Sequence, residues 1–208
     1  MRVAIILFAF VSAPVAAHNK TPLVPGTYTN EEEVYFALEA KRPAAPWTGI
    51  AVEVSGMSRF VDRFGKTVDR MVHDAAMTED GAIAFPVAGG ALTILRRARA
   101  VTCWGSVPKL AKKADGSDDW YFASGLKLHD QGGRVLFGGG DTGAPPVVLR
   151  MRNVVWPTGA NKPSLVLYIH KPESPESPDR AESYSWADPE AKRIGINLRW
   201  MQASCTID

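Results

Sequence analysis

The chain has 208 residues, of which 46% are hydrophobic and 22% charged, with a formal net charge of +2. That length and apolar content suffice for one globular domain with its own core, and they exclude a disordered chain. The near-neutral balance gives no electrostatic footprint for nucleic acid, which is not expected as a partner.

Residues 1–17, MRVAIILFAFVSAPVAA, place Arg2 before an apolar run from Val3 to Val11 and end in Val15, Ala16 and Ala17. This pattern predicts a secretory signal peptide cleaved after Ala17. It leaves one domain over residues 18–208 and a periplasmic or secreted location. No later apolar run approaches the roughly 20 residues a spanning helix needs, so no membrane span is expected.

Asn30 followed by Glu31, Glu32 and Glu33 predicts the start of a short helix, with Asn30 as N-cap and Glu33 closing a capping box. Val34, Ala37 and Leu38 share its apolar face, Lys41 and Arg42 suit its C-terminal end, and Pro43 stops it. Beyond Pro46 the pattern changes to period two. Ile50, Val52 and Val54 alternate with other residues, as do Ile83, Phe85 and Val87. The stretch LKLHDQGGRVLF reads as a hairpin turning at Gln131-Gly132-Gly133. In PPVVLRMRNVVW, Val147, Leu149 and Met151 share one face, opposite Val148, Arg150 and Arg152. Leu165, Leu167 and Ile169 form the next such set, and Ile194, Ile196, Leu198 and Trp200 the last. Many short alternating runs separated by Gly, Pro and Asn turns predict an all-β fold. The expected form is an antiparallel lipocalin/calycin-like barrel, or a β-sandwich, with one short N-terminal helix. Ala111–Asp119 and Lys171–Arg180 read as polar loops.

The two cysteines, Cys103 and Cys205, are expected to form a disulfide, because export leaves a lone pair of thiols in oxidising surroundings. The loop closed is about 100 residues, worth ~4–5 kcal/mol in the chain-entropy model. Such a staple holds the last strand against the middle of the chain.

Several motifs invite chemistry. GGGDTG, Gly138–Gly143, has the glycine spacing of a dinucleotide loop, but Pro145-Pro146 and a strand follow where a helix is required. Asp141-Thr142-Gly143-Ala144 resembles the signature of retropepsin-like aspartic proteases, which makes Asp141 a candidate catalytic residue in a homodimer. Asp115, Asp118 and Asp119 lack calcium-loop spacing, and the scattered histidines are expected to face solvent, so no metal or other cofactor is expected. Arg97 and Arg99 are expected to share a strand face with Val101 and Cys103. Arg150 and Arg152 share a face with Val148 and Val154. Guanidinium groups on an inward face suit a carboxylate or similar anion, and Trp104 suits an apolar pocket wall.

The opening GTYTNEEEVYF, Gly26–Phe36, resembles the start of CpcT/CpeT-type chromophore lyases through Gly26, Tyr28 and Asn30, although that family carries Gln where this chain has Glu33. The resemblance implies a calycin-like barrel of the kind that handles linear tetrapyrroles; no active-site residue is carried over from it. Together these readings favour an exported small-molecule-binding protein. Its ligand is mostly apolar with an anionic group, and Arg97, Arg99, Arg150, Arg152 and Trp104 are the binding candidates. Three alternatives stand beside it: a chromophore lyase-like enzyme, the Asp141 protease, and an envelope structural or interaction protein.

Overall fold

Alternating apolar residues put strands almost everywhere. In a computed structural model of the protein, residues 22–172 and 181–208 are described, apart from Ala88, Thr158 and Ala160. The predicted leader and most of the 171–180 excursion lie outside the described residues. The first part of the chain forms β1 (Gly26–Thr29), α1 (Glu31–Glu39), β2 (Gly49–Val52), β3 (Ser58–Val61), β4 (Thr67–Met71), β5 (Ala76–Met77), β6 (Ile83–Pro86) and β7 (Leu92–Ala98). These strands make one antiparallel sheet in the order β4-β3-β2-β1-β7-β6-β5. Its apolar cluster is Tyr28, Ile50, Val52, Ile83 and Leu95, flanked by Phe60 and Phe85.

After Arg99 the chain enters a second assembly. It comprises β8 (Ala100–Lys112), β9 (Asp118–His129), β10 (Gln131–Phe137), β11 (Val147–Val154), β12 (Ser164–His170), β13 (Ser183–Ala187), β14 (Arg193–Leu198) and β15 (Met201–Ile207). Hydrogen-bonded ladders run β10-β11-β12-β13 and β14-β15-β8-β9. Strands β9 and β10 lie side by side, as do β13 and β14, and β15 bonds back to β8. The eight strands therefore follow one another in a closed circuit with two seams in its hydrogen bonding. That gives an all-β fold between barrel and sandwich, as the sequence predicts.

The interior of this circuit is filled by side chains. Leu149, Met151, Leu165, Leu167 and Ile169 are wholly buried there, together with Val107, Met201 and Cys205. Each large one stabilises the fold by about 1.5–3 kcal/mol. Gly105 on β8 is required by this packing. A Cβ there would stand 2.5 Å from the Phe137 ring of β10, which closes the core across the seam. Cys103 and Cys205 are direct cross-strand partners on β8 and β15, and they are disulfide-bonded with an S–S distance of 2.03 Å.

Three local expectations change. Asn30 does not cap α1; its side chain donates to Pro46 O and Thr93 Oγ1 and accepts from Thr48 N–H. The Thr29 hydroxyl takes the Glu31 N–H instead, and Glu33 accepts from Thr93 Oγ1, so the capping box does not form. Leu38 is 63% exposed, because the first turn of α1 docks through charged residues and its buried apolar side chains are Val34 and Ala37. The LKLHDQGGRVLF segment is not a bonded hairpin: it turns at Asp130, β9 pairs with β8, and β10 pairs with β11. The Asp130 carboxylate is buried on Arg99, which anchors the turn one residue before the expected Gln131-Gly132-Gly133. Among the described residues no helix is long and apolar enough to cross a membrane.

Candidate functional site

The chain passes from one sheet assembly to the other at Arg99, and a cavity of ≈ 620 Å³ lies against this crossing. Its first wall is Gly26 and Thr27 of β1, Phe64 and Gly65 of the β3–β4 turn, and Arg97 and Ala98 of β7. Its second wall is Ala100, Lys127, Leu128, His129, Arg134 and Asp208. Four cationic side chains thus meet one acidic residue in a space sized for a small molecule.

The four cations are held differently. Arg99 is fixed: Nε donates to Asp130 Oδ2 at 2.6 Å, Nη2 to Pro189 O at 2.6 Å, and the backbone N–H to Asp130 Oδ1 at 2.8 Å. Arg97 is exposed, and its Nη2 donates only to Pro25 O, at 3.0 Å. Its Nε would stand 3.1 Å from a Cβ at Gly26, so the bare glycine gives the guanidinium its place on the wall. Lys127 donates from Nζ to Thr102 Oγ1 at 2.7 Å. Neither Arg97 nor Lys127 forms an ion pair with a described residue. Arg134 is 8% exposed and its backbone N–H bonds Arg63 O.

His129 completes the floor. Its Nδ1 accepts the Gln131 N–H at 3.3 Å, so the neutral ring carries its proton on Nε2. Burial pushes its pKa below the ordinary value of 6.5, against the opposing pull of the Asp130 and Glu31 carboxylates.

Arg150 and Arg152 lie elsewhere. They do project from the β11 face opposite Leu149 and Met151, but α1 covers that face. Arg150 Nη2 donates to Glu31 Oε1, and Arg63 Nη1 lies 3.2 Å from Glu31 Oε2. Arg152 grips Glu32 through two bonds, of 2.7 and 2.9 Å, with its guanidinium 3.6 Å from the Tyr35 ring centroid. Burial works against the Arg152 charge. Hydrogen bonds and attraction from Glu32 overcome it and hold the pKa above the ordinary arginine value. The acidic triplet that reads as helix-start chemistry is chiefly the partner set for these arginines.

Trp104 is on the outside of β8, 5.8 Å from the Phe122 ring between centroids, and does not line the cavity. Asp141 is exposed on a 3-10 turn (Gly140–Thr142), also away from it. The expected continuous face of Arg97, Arg99, Val101 and Cys103 is interrupted, since the strand breaks at Arg99; Val101 and Cys103 are buried in the second assembly, while Arg97 is exposed. His129 and His170 are 8% and 4% exposed, against the expectation of solvated histidines. Lys127, His129 and Arg134 escape a reading along single strands. The available signal is the LKLH alternation, which puts Lys127 and His129 on one side two residues apart. Of the residues behind the lyase resemblance, Gly26 lines the cavity, Tyr28 is buried with its hydroxyl on Val24 O, and Asn30 ties β1 to Pro46 and Thr48. No group of three or more potential metal ligands occurs among the described residues. No family model matches the chain, and neither a curated protein nor a solved structure matches it.

Proposed function

We propose that the protein is an exported binding protein that takes a mostly apolar ligand with an anionic group. The site is the cleft between the two sheet assemblies, since the barrel-like circuit is filled by its own core. The observation that carries this reading is the convergence of Arg97, Arg99, Lys127 and Arg134 on one cavity, with Arg97 and Lys127 bound only to a carbonyl and a hydroxyl. A carboxylate, sulfonate or phosphate would receive charge-assisted hydrogen bonds there, while Phe64, Leu128 and Ala98 would cover an apolar body. The disulfide is compatible with an oxidising compartment and agrees with the leader-like N-terminus.

The test is a fluorescence titration with 8-anilinonaphthalene-1-sulfonate, an apolar anion, beside its uncharged relative N-phenyl-1-naphthylamine. The anion is expected to bind more tightly, to weaken with added salt, and to lose about ten-fold or more in affinity in the Arg97→Ala/Lys127→Ala double variant. Equal binding of the two dyes, with no effect of the double variant, would reject the reading. Mass spectrometry of native protein from its own compartment would then identify any retained molecule.

A further inference from the structure

Among the residues lining the basic cleft, His129 is held unlike the cations. It is only 8% exposed, and its ring is seated from two sides. On one side Nδ1 accepts the Gln131 N–H at 3.3 Å. On the other lies Gly133 of β10, where a Cβ would stand 2.8 Å from His129 Cδ2, so a larger residue would displace the ring.

The bond at Nδ1 fixes the tautomer. A neutral imidazole that accepts at Nδ1 carries its proton on Nε2, and burial favours the neutral ring here. Nε2 makes no hydrogen bond with a described residue, and it is not sealed from solvent. The two carboxylates that act on the ring are engaged by arginines: Asp130 by Arg99, and Glu31 by Arg63 and Arg150. A seated N–H donor thus stands in the cleft wall with no acceptor among the described residues. Water or a ligand must serve it.

We infer that His129 is a specificity-determining residue of the cleft, its Nε2–H donating to an oxygen of the ligand's anionic group. That group is then an oxyanion, such as a carboxylate, sulfonate or phosphate, selected for its lone pairs as well as for its charge. The inference rests on the reading of the cleft as an anion site. Arg97 and Lys127 are exposed and draw negative charge in, whereas the seated imidazole sets where the oxygen comes to rest.

The test separates the two ring nitrogens. His129→Gln puts an amide N–H near the place of Nε2 and gives up the acceptor for Gln131. His129→Asn keeps an acceptor near the place of Nδ1 and gives up the donor. In titrations with 8-anilinonaphthalene-1-sulfonate, His129→Asn is expected to lose about ten-fold in affinity, and His129→Gln to stay within about three-fold of the parent. A merely structural role predicts the reverse order, because the Nδ1 bond is what ties the ring to the turn. A loss in His129→Gln as large as that in His129→Asn or larger, or no loss in either, overturns the inference and leaves the cleft as an anion site. A parent protein that binds N-phenyl-1-naphthylamine as tightly as the anion rejects the cleft reading, and the inference with it. Where the variants do not fold, NMR of the histidine rings in the parent decides. The signal of a ring held in the Nε2–H form is expected to shift as the anion is added. No such signal, or none that shifts at saturation, overturns the inference.

Discussion

Two pairs of arginines at i and i+2 meet opposite fates in this molecule. Arg150 and Arg152 lie on an intact strand beneath a helix that brings Glu31 and Glu32 to them, and each is 2% exposed. Arg97 and Arg99 straddle a break between strands. One is held by the buried Asp130, while the other faces a cavity without a carboxylate partner. The same sequence pattern therefore serves as a structural fastener or as a potential anion receptor, according to what the fold lays over it. A buried guanidinium needs its carboxylate, whereas an open one can wait for a ligand.

The sharpest way to break this contrast is to remove one half of a fastener. Glu32→Leu is expected to cost about 3–5 kcal/mol in urea denaturation, because Arg152 would be left charged and buried. The Glu32→Leu/Arg152→Met double variant should recover most of that loss. Equal damage in the double variant would mean that packing, not charge pairing, holds α1 to β11. Next in size is Cys205→Ser, expected to cost about 2–5 kcal/mol, since the bridge joins residues 102 positions apart. The cleft should behave oppositely. Arg97→Ala is expected to change stability by no more than about 0.5 kcal/mol, measured by the same denaturation, while lowering affinity for 8-anilinonaphthalene-1-sulfonate.

The smallest effect is one of pH. His129 has its pKa lowered by burial, so the folded state favours the neutral ring more than the unfolded chain does. Its contribution to stability is full above the unfolded value of about 6.5 and is lost as pH falls from there through the folded value. His129→Gln should therefore flatten the decline in urea midpoint between about pH 7 and pH 5. An unchanged slope would show that other groups set it.

The strands were legible because period two reports directly which face is buried. Leu149 and Met151 are wholly buried, as their alternation implies, and Cys103 finds Cys205 because no other thiol exists. The helix was legible in place but not in purpose. What lies above Arg152 is set by a residue 120 positions earlier, a pairing no local pattern carries. The basic cleft was half legible. Arg97 and Arg99 attract notice as a pair, whereas Lys127, His129 and Arg134 join them only when β9 and β10 are brought against β7 and the β3–β4 turn. Alternation was also carried through Arg99 as one strand, whereas the ladder stops there: Asp130 holds the Arg99 side chain between β7 and β8, and the buried residues on either side, Leu95 and Val101, belong to different cores.

The β8–β15 ladder bears on how the molecule is made. Strand β8 needs as its neighbour a strand that leaves the ribosome about a hundred residues later, so one flank of β8 stands bare while the intervening strands assemble. Long-range pairing of this kind folds slowly, and an uncovered edge invites pairing with other copies. Oxidation across Cys103 and Cys205 must wait until the last strand has been made, so the bond cannot act on β8 while the intervening strands emerge.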